Sequence, residues 1–220
     1  GWWDRDLDEI ELARDECGLQ IAACCTKFIS LVDASCRNEY LAGVEASIAT
    51  ARRLNCPTLI SQVGDAMPGV TRQVQHQSLV DGLREAAPML ESAGVTLVIE
   101  PLNELIDHAG YYLVRSDEAF QIIEQVNSPN IKVVFDIYHQ QISEGQLIAN
   151  MTANIDKIAH FHAAGNPGRM ELNIGELHYP SIFDAIHQTG YDGHVGLEYW
   201  PRHDPLKGLT EVASWFRKGN

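Results

Sequence analysis

The 220-residue sequence predicts an α/β fold whose parallel strands close into a (β/α) barrel, and three observations carry that prediction. Six apolar runs of strand length recur along the chain. They are continuous rather than alternating, which is how strands buried on both faces read. The segments between them are long enough and periodic enough for crossover helices. The first run is followed by Thr26-Lys27-Phe28-Ile29, without the glycine-rich phosphate loop that an open doubly wound sheet normally carries there. Several later runs end instead on single polar residues, as barrel strands do.

In chain order, Asp4–Glu16 places Leu7, Ile10, Leu12 and Ala13 among charges and reads as a helix before the first strand run, Leu19–Cys25. Asn38–Leu54 follows as a helix with Leu41, Val44, Ile48 and Leu54 on its apolar positions, then the run Thr58–Val63. His76–Ala93 carries Leu79, Leu83, Ala86, Ala87 and Leu90, ends at Gly94 and leads into Thr96–Leu102. Ser116–Val126, with Phe120, Ile122 and Ile123, precedes Lys132–Tyr138; Gln146–Lys157 precedes Ile158–Ala163. Pro180–Thr189, closed by Gly190, precedes His194–Tyr199, and Leu206–Phe216 ends the pattern. Ser or Asp at helix starts and Gly at helix ends match the usual capping asymmetry. An eight-stranded barrel takes about 250 residues. Six strands opening on a loop and helix therefore predict a single barrel domain over residues 1–220 that lacks its first one to two strands. The two exposed sheet edges predict a homo-oligomer, most simply a dimer.

Composition narrows the function. The chain has 16 Lys and Arg against 30 Asp and Glu, a net charge of −14, which disfavours nucleic-acid phosphates as partners. No apolar run reaches the roughly 20 residues needed to cross a bilayer, and the opening Gly1-Trp2-Trp3-Asp4-Arg5-Asp6 has no signal-peptide character. The five cysteines are odd in number, fall in the first quarter of the chain and form no Cys-x-x-Cys, which fits a reducing cytoplasm and argues against a thiolate zinc site.

Four runs finish on a metal-ligating residue type: Glu100 after Val98-Ile99, Asp136 after Val134-Phe135, His162 after His160-Phe161, and Glu198 after Gly196-Leu197. They are spaced by 36, 26 and 36 residues, about one βα unit each, so they fall on four successive strands and converge at one mouth. One acidic residue at a strand end is usually a helix N-cap or a salt-bridge partner; four in register point to a shared site. Three carboxylates and an imidazole repel and perturb one another unless a cation joins them. An oxygen-rich set of this kind suits Mn²⁺, Mg²⁺ or Co²⁺. His139 in Asp136-Ile137-Tyr138-His139, Asn103 in Glu100-Pro101-Leu102-Asn103 and Arg169 in Gly165-Asn166-Pro167-Gly168-Arg169 cluster at the same ends as candidate substrate contacts. The plainer alternatives are a loop salt bridge for Arg169 and a ring stacked on Trp200 or Tyr138 for His139. His160 shares the face of His162 two residues deeper and reads as a core or supporting histidine. Trp2, Trp3 and Trp200 read as walls of a small polar site or as ordinary packing.

The stretch from about Val95 to Pro201 resembles the hydroxypyruvate isomerase group of the xylose-isomerase-like sugar isomerase and epimerase TIM barrels. The carrying segments are Val98-Ile99-Glu100-Pro101-Leu102-Asn103, Phe135-Asp136-Ile137-Tyr138-His139 and His160-Phe161-His162-Ala163-Ala164-Gly165-Asn166-Pro167-Gly168-Arg169. Gly175-Glu176-Leu177-His178-Tyr179-Pro180, Gly190-Tyr191-Asp192-Gly193 and Gly196-Leu197-Glu198-Tyr199 continue the series in order. The first ninety residues match only in pattern. The resemblance implies a (β/α)₈ barrel in which Glu100, Asp136, His162 and Glu198 ligate a divalent ion. It further implies that Glu100 and Glu198 are the acid/base pair and that His139 and Arg169 touch substrate. Some hydroxypyruvate isomerases carry an amide residue where His162 stands, and the complete Glu/Asp/His/Glu set looks more like the metal-using epimerases. The expected activity is isomerisation of a sugar or hydroxy-keto acid through an enediolate, hydroxypyruvate to tartronate semialdehyde first. A ketose 3-epimerase on the same site and a catalytically silent metal-binding barrel fragment are the alternatives. An abasic-site endonuclease of the same superfamily is opposed by the acidic charge.

Overall fold

The structure, a computed structural model, describes residues 1–216; the last four residues of the expected domain lie outside them. Six strands form one sheet: β1 (Ala23–Cys25), β2 (Thr58–Ser61), β3 (Thr96–Ile99), β4 (Ile131–Asp136), β5 (Ile158–Ala163) and β6 (His194–Leu197). They lie in sequence order, each parallel to the next, and among the described residues no ladder joins β1 to β6. The helices are α1 (Leu7–Cys17), α2 (Arg37–Arg53), α3 (Arg72–Ala93), α4 (Ser116–Val126), α5 (Ile137–Ser143), α6 (Leu147–Ala153), α7 (Tyr179–Gln188) and α8 (Pro205–Phe216).

The parity of the strands sorts side chains onto two faces. Leu59, Leu97, Ile99, Val133, Phe135 and Phe161 enter the main core together with apolar residues of the helices, such as Leu83, Leu90 and Ile123. Ile60, Val98 and Val134 form a second cluster on the inner face, with Ala23, Cys25 and Ala159 against it. Burying each of the large side chains contributes about 1.5–3 kcal/mol, so the inner strands are fixed by both faces. All four residues of β2 are buried, whereas β1 is half-buried throughout.

The apolar runs overstate the strands. The run Thr96–Leu102 stops pairing at Ile99, because Pro101 has no N–H for a ladder. The run Lys132–Tyr138 ends at Asp136, whose Oδ1 accepts from the Tyr138 and His139 amides and starts α5, a helix absent from the sequence reading. Strand β6 stops at Leu197 rather than Tyr199, and β1 begins only at Ala23, since Leu19 is exposed. The expected helix Gln146–Lys157 divides at Asn154 into α6 and a 3₁₀ turn, Ile155–Lys157. Helix α3 starts four residues before His76, where the Thr71 hydroxyl caps the Val74 amide. No described helix is long and apolar enough to cross a membrane.

Candidate active site

The polar residues continue the inner face of the strands. Glu100 follows Val98 by two residues, Asp136 follows Val134, His162 follows His160, and Glu198 follows Gly196. The register sets Asp136 directly beside His162, and His162 beside Gly196. A Cβ at Gly196 would lie 3.0 Å from His162 Cδ2 and 3.1 Å from His160 Nε2, so glycine leaves room for both imidazoles. His160 is buried two residues deeper, its ring edge-on to His162 at 5.0 Å, as the sequence reading expects of a supporting histidine.

The four expected ligands meet. One ligand atom from each of Glu100, Asp136, His162 and Glu198 lies within 4.8 Å of the others. His162 Nδ1 is 2.9 Å from Glu100 Oε1, 3.5 Å from Glu198 Oε2 and 3.9 Å from Asp136 Oδ2. Asp136 divides its carboxylate: Oδ1 caps α5 while Oδ2 faces the cluster. Glu100, Asp136 and His162 are buried, whereas the Glu198 side chain is 52 % exposed.

The electrostatics report a demand for positive charge. Burial opposes a charged His162, but the Glu100 hydrogen bond and the charges of Glu100, Asp136 and Glu198 outweigh it and raise the ring to about 9. Burial, with the Glu100 charge adding, also pushes Asp136 above the ordinary carboxylate range, against the pull of the two histidines. Both shifts retain protons where three acids converge. A divalent cation satisfies the same demand, and two glutamates, an aspartate and an imidazole supply the oxygen-rich donor set that Mn²⁺, Mg²⁺ or Co²⁺ favours. The donor set therefore fits such an ion.

Arg169 reaches the site from a tight turn. Gly165 and Met170 exchange backbone hydrogen bonds of 2.8 and 3.2 Å. A Cβ at Gly165 would stand 2.4 Å from Glu171 O, and Arg169 itself holds a left-handed φ of 52°. Such a conformation is uncommon in a residue other than glycine, and Asn55, Asn127 and Gln146 share it. Arg169 Nη2 donates to Glu198 Oε2 at 2.7 Å, and its guanidinium lies 5.3 Å from the Tyr138 ring centroid. The salt-bridge alternative for Arg169 thus holds, and its partner is a member of the cluster. Arg169, Leu197, Glu198, Tyr199 and Trp200 line a cleft of about 360 Å³.

His139 and Asn103 lie behind this surface, both fully buried. His139 sits edge-on to Tyr138 and tilted against His108, each at 5.2 Å, and does not stack on Trp200. Burial lowers its ring to about 4. Its Nε2, 3.6 Å from Asp136 Oδ2, has no hydrogen-bond partner among the described residues. Asn103 differs from the expectation of a substrate contact: its Oδ1 accepts from the Ile106 and Asp107 amides, and its Nδ2 donates to Asp107 Oδ2 and His139 Nδ1. Its hydrogen-bonding capacity is consumed inside the protein. Sequence reading missed Asp107; an Asn whose side chain can close its own loop by accepting from amides three and four residues on was the available signal. Trp2 packs on α2, its Nε1 donating to Ser47 Oγ at 3.3 Å.

Comparison with known proteins agrees with this architecture. Residues 2–219 match the xylose isomerase-like TIM barrel family. The hydroxypyruvate isomerase of Escherichia coli is 39 % identical over 171 residues, which cover 78 % of this chain and 66 % of that enzyme. The 2-oxo-tetronate isomerase of Cupriavidus necator is 42 % identical over 130 residues, covering 59 % of this chain and 50 % of that one. The chain thus spans just under two thirds of the first relative's length and half of the second's. A crystal structure from Brucella melitensis described as an AP endonuclease, family 2, superposes with a TM-score of 0.91 at 29 % identity over 97 % of this chain and 85 % of its own. The match across nearly the whole sequence, on a sheet of parallel strands with its polar groups at one mouth, establishes that the chain belongs to the xylose isomerase-like TIM barrel family.

Proposed function

We propose that this chain carries the site of an isomerase that moves a proton between neighbouring carbons of a short 2-hydroxy carbonyl compound, hydroxypyruvate and tartronate semialdehyde being the first pair to test. The observation that carries the reading is the convergence of Glu100, Asp136, His162 and Glu198 within 4.8 Å in a chain similar to a hydroxypyruvate isomerase. These four residues would hold a divalent ion, Mn²⁺, Mg²⁺ or Co²⁺. Such an ion supplies Lewis acidity that polarises a carbonyl and makes the adjacent C–H more acidic.

The remaining chemistry belongs to side chains. Glu100 and Glu198 approach from strands on opposite sides of His162, so one takes the C–H proton and the other returns one to the resulting enediolate. A positioned carboxylate of this kind contributes about 10²–10⁴-fold. Glu198 is held for that task by Arg169, and the ion would take the place of the His162 hydrogen bond that Glu100 makes without it. His139, whose buried Nε2 has no hydrogen-bond partner among the described residues, would donate from that atom to a substrate oxygen as negative charge develops on it. Arg169 offers a fork that suits a carboxylate or a pair of hydroxyls. Return of the proton to the former carbonyl carbon gives isomerisation; return to the opposite face of the same carbon gives the epimerase outcome. DNA cleavage at abasic sites, suggested by the name of the Brucella protein, is disfavoured by the net charge of −14 and by the single four-residue ligand cluster among the described residues.

The test is isotopic. Hydroxypyruvate and short ketoses, incubated with the protein and Mn²⁺ in deuterated water, are expected to acquire deuterium at the reacting carbon. The Glu100→Gln protein, still folded, is expected to leave them unlabelled. An active Glu100→Gln protein overturns the assignment.

A further inference from the structure

We propose that Asn103 and Asp107 form a positioning pair that never touches substrate: together they fix His139 as a neutral ring with its hydrogen on Nε2, and tie that ring to the Tyr138–Arg169 stack. The kinetic arm of this proposal rests on the isomerase reading above; its spectroscopic arm does not.

The hydrogen-bond directions follow from groups that have no choice. Backbone amides only donate. The Ile106 and Asp107 amides donate to Asn103 Oδ1 at 3.0 and 3.2 Å, so that atom is the oxygen and the other side-chain atom is the nitrogen. The two hydrogens on Nδ2 then go to Asp107 Oδ2 at 2.8 Å and to His139 Nδ1 at 2.7 Å. The Asn103 backbone N–H also points at Nδ1, from 3.3 Å. A nitrogen receiving two hydrogens carries none of its own, so the ring proton resides on Nε2. That nitrogen is buried, has no partner among the described residues and faces the cluster. A buried donor without a partner costs stability unless a ligand completes it. Asp107 does a second job: the same Oδ2 accepts from the Tyr138 hydroxyl at 3.0 Å, and the Tyr138 ring carries the Arg169 guanidinium. One loop carboxylate thereby links the two groups expected to hold substrate.

Asn103→Asp is the informative variant. It keeps an oxygen for the two loop amides but turns an oxygen toward Nδ1, which then takes the proton and leaves Nε2 an acceptor. The double variant Asn103→Asp/Asp107→Asn restores the charge count and the 103–107 hydrogen bond, yet still presents oxygen to His139. Two-bond ¹H–¹⁵N correlation spectra of histidine-labelled protein without added metal report the tautomer directly, with His139 assigned from the His139→Gln spectrum. In the wild type the expected pattern is a bare Nδ1 and a protonated Nε2; both variants are expected to reverse it. Loss of one such donor lowers kcat by about 10²–10³-fold in both variants, with little change in KM in the single variant. A wild-type ring protonated on Nδ1 overturns the proposal even where the variants fail to fold. Recovery of kcat in the double variant also overturns it, because the pair would then act through charge alone. The expected tautomer in a wild type that turns over no substrate upholds the positioning pair and removes the isomerase reading.

Discussion

The inner strands and the edge strand β6 each deliver a glutamate to the same cluster, in opposite surroundings. Glu100, one residue past the buried strand β3, has its carboxylate against His162 and is almost without exposure. Glu198, past the end of β6, is half-exposed and held by the Arg169 guanidinium instead. The same residue type is neutralised by an imidazole inside and by a guanidinium at the rim. The difference teaches that the site is not symmetric: its buried half is set by strand packing, its outer half by one turn, Gly165 to Met170.

The largest expected effects come from removing either glutamate. Glu100→Gln and Glu198→Gln should each lower solvent-exchange turnover by about 10²–10⁴-fold, measured by deuterium incorporation. They should differ in a second readout, since the Glu100 hydrogen bond is the strongest support for a protonated His162. An NMR titration of His162 in metal-free protein is expected to shift downward more in Glu100→Gln than in Glu198→Gln; equal shifts would break the comparison.

The next effect is on stability. In the metal-free protein His162 is raised from 6.5 to about 9. A raised folded value means stabilisation that is complete below pH 6.5 and is lost as pH rises through about 9. The upper bound is about 3.5 kcal/mol, at 1.4 kcal/mol per unit. Denaturant midpoints at pH 6 and pH 9.5 check the sign: the protein should be weaker at the higher pH, and saturating Mn²⁺ should flatten the difference. A smaller effect separates the two roles of Asp136. Asn is as good an N-cap as Asp, so Asp136→Asn should leave α5 intact by circular dichroism. It should nonetheless weaken Mn²⁺ binding by about tenfold or more, roughly 1.4 kcal/mol, by calorimetry. The smallest effect belongs to Arg169→Lys, which keeps the charge beside Glu198 and loses the planar fork; KM should rise several-fold with little change in kcat.

Much of this was legible in the sequence, for reasons particular residues make plain. Glu100, Asp136, His162 and Glu198 stood out because each interrupts an apolar run at its C-terminal end, and parallel strands buried on both faces produce such runs. The start of α5 was hidden because Ile137 and Tyr138 extend the apolar run of β4; only the capping geometry of Asp136 separates strand from helix. Leu12 fits the apolar period of α1 yet is 60 % exposed, since α1 presses only Leu7 and Ile10 onto the core. Asp107 was silent for another reason. It lies in a loop, where no period exists, and its importance comes from Tyr138 on the following βα unit.

The central claim is that the converged carboxylates move a proton on a small hydroxy-carbonyl compound. The most direct measurement is deuterium uptake from solvent into hydroxypyruvate and short ketoses, with Mn²⁺ and with a chelated control. Metal-dependent label at C2 or C3, absent in Glu100→Gln and Glu198→Gln, is the expected result, and the labelled carbon distinguishes isomerase from epimerase. A folded protein that binds Mn²⁺ and labels no substrate contradicts the account and makes the cluster a silent metal-binding site.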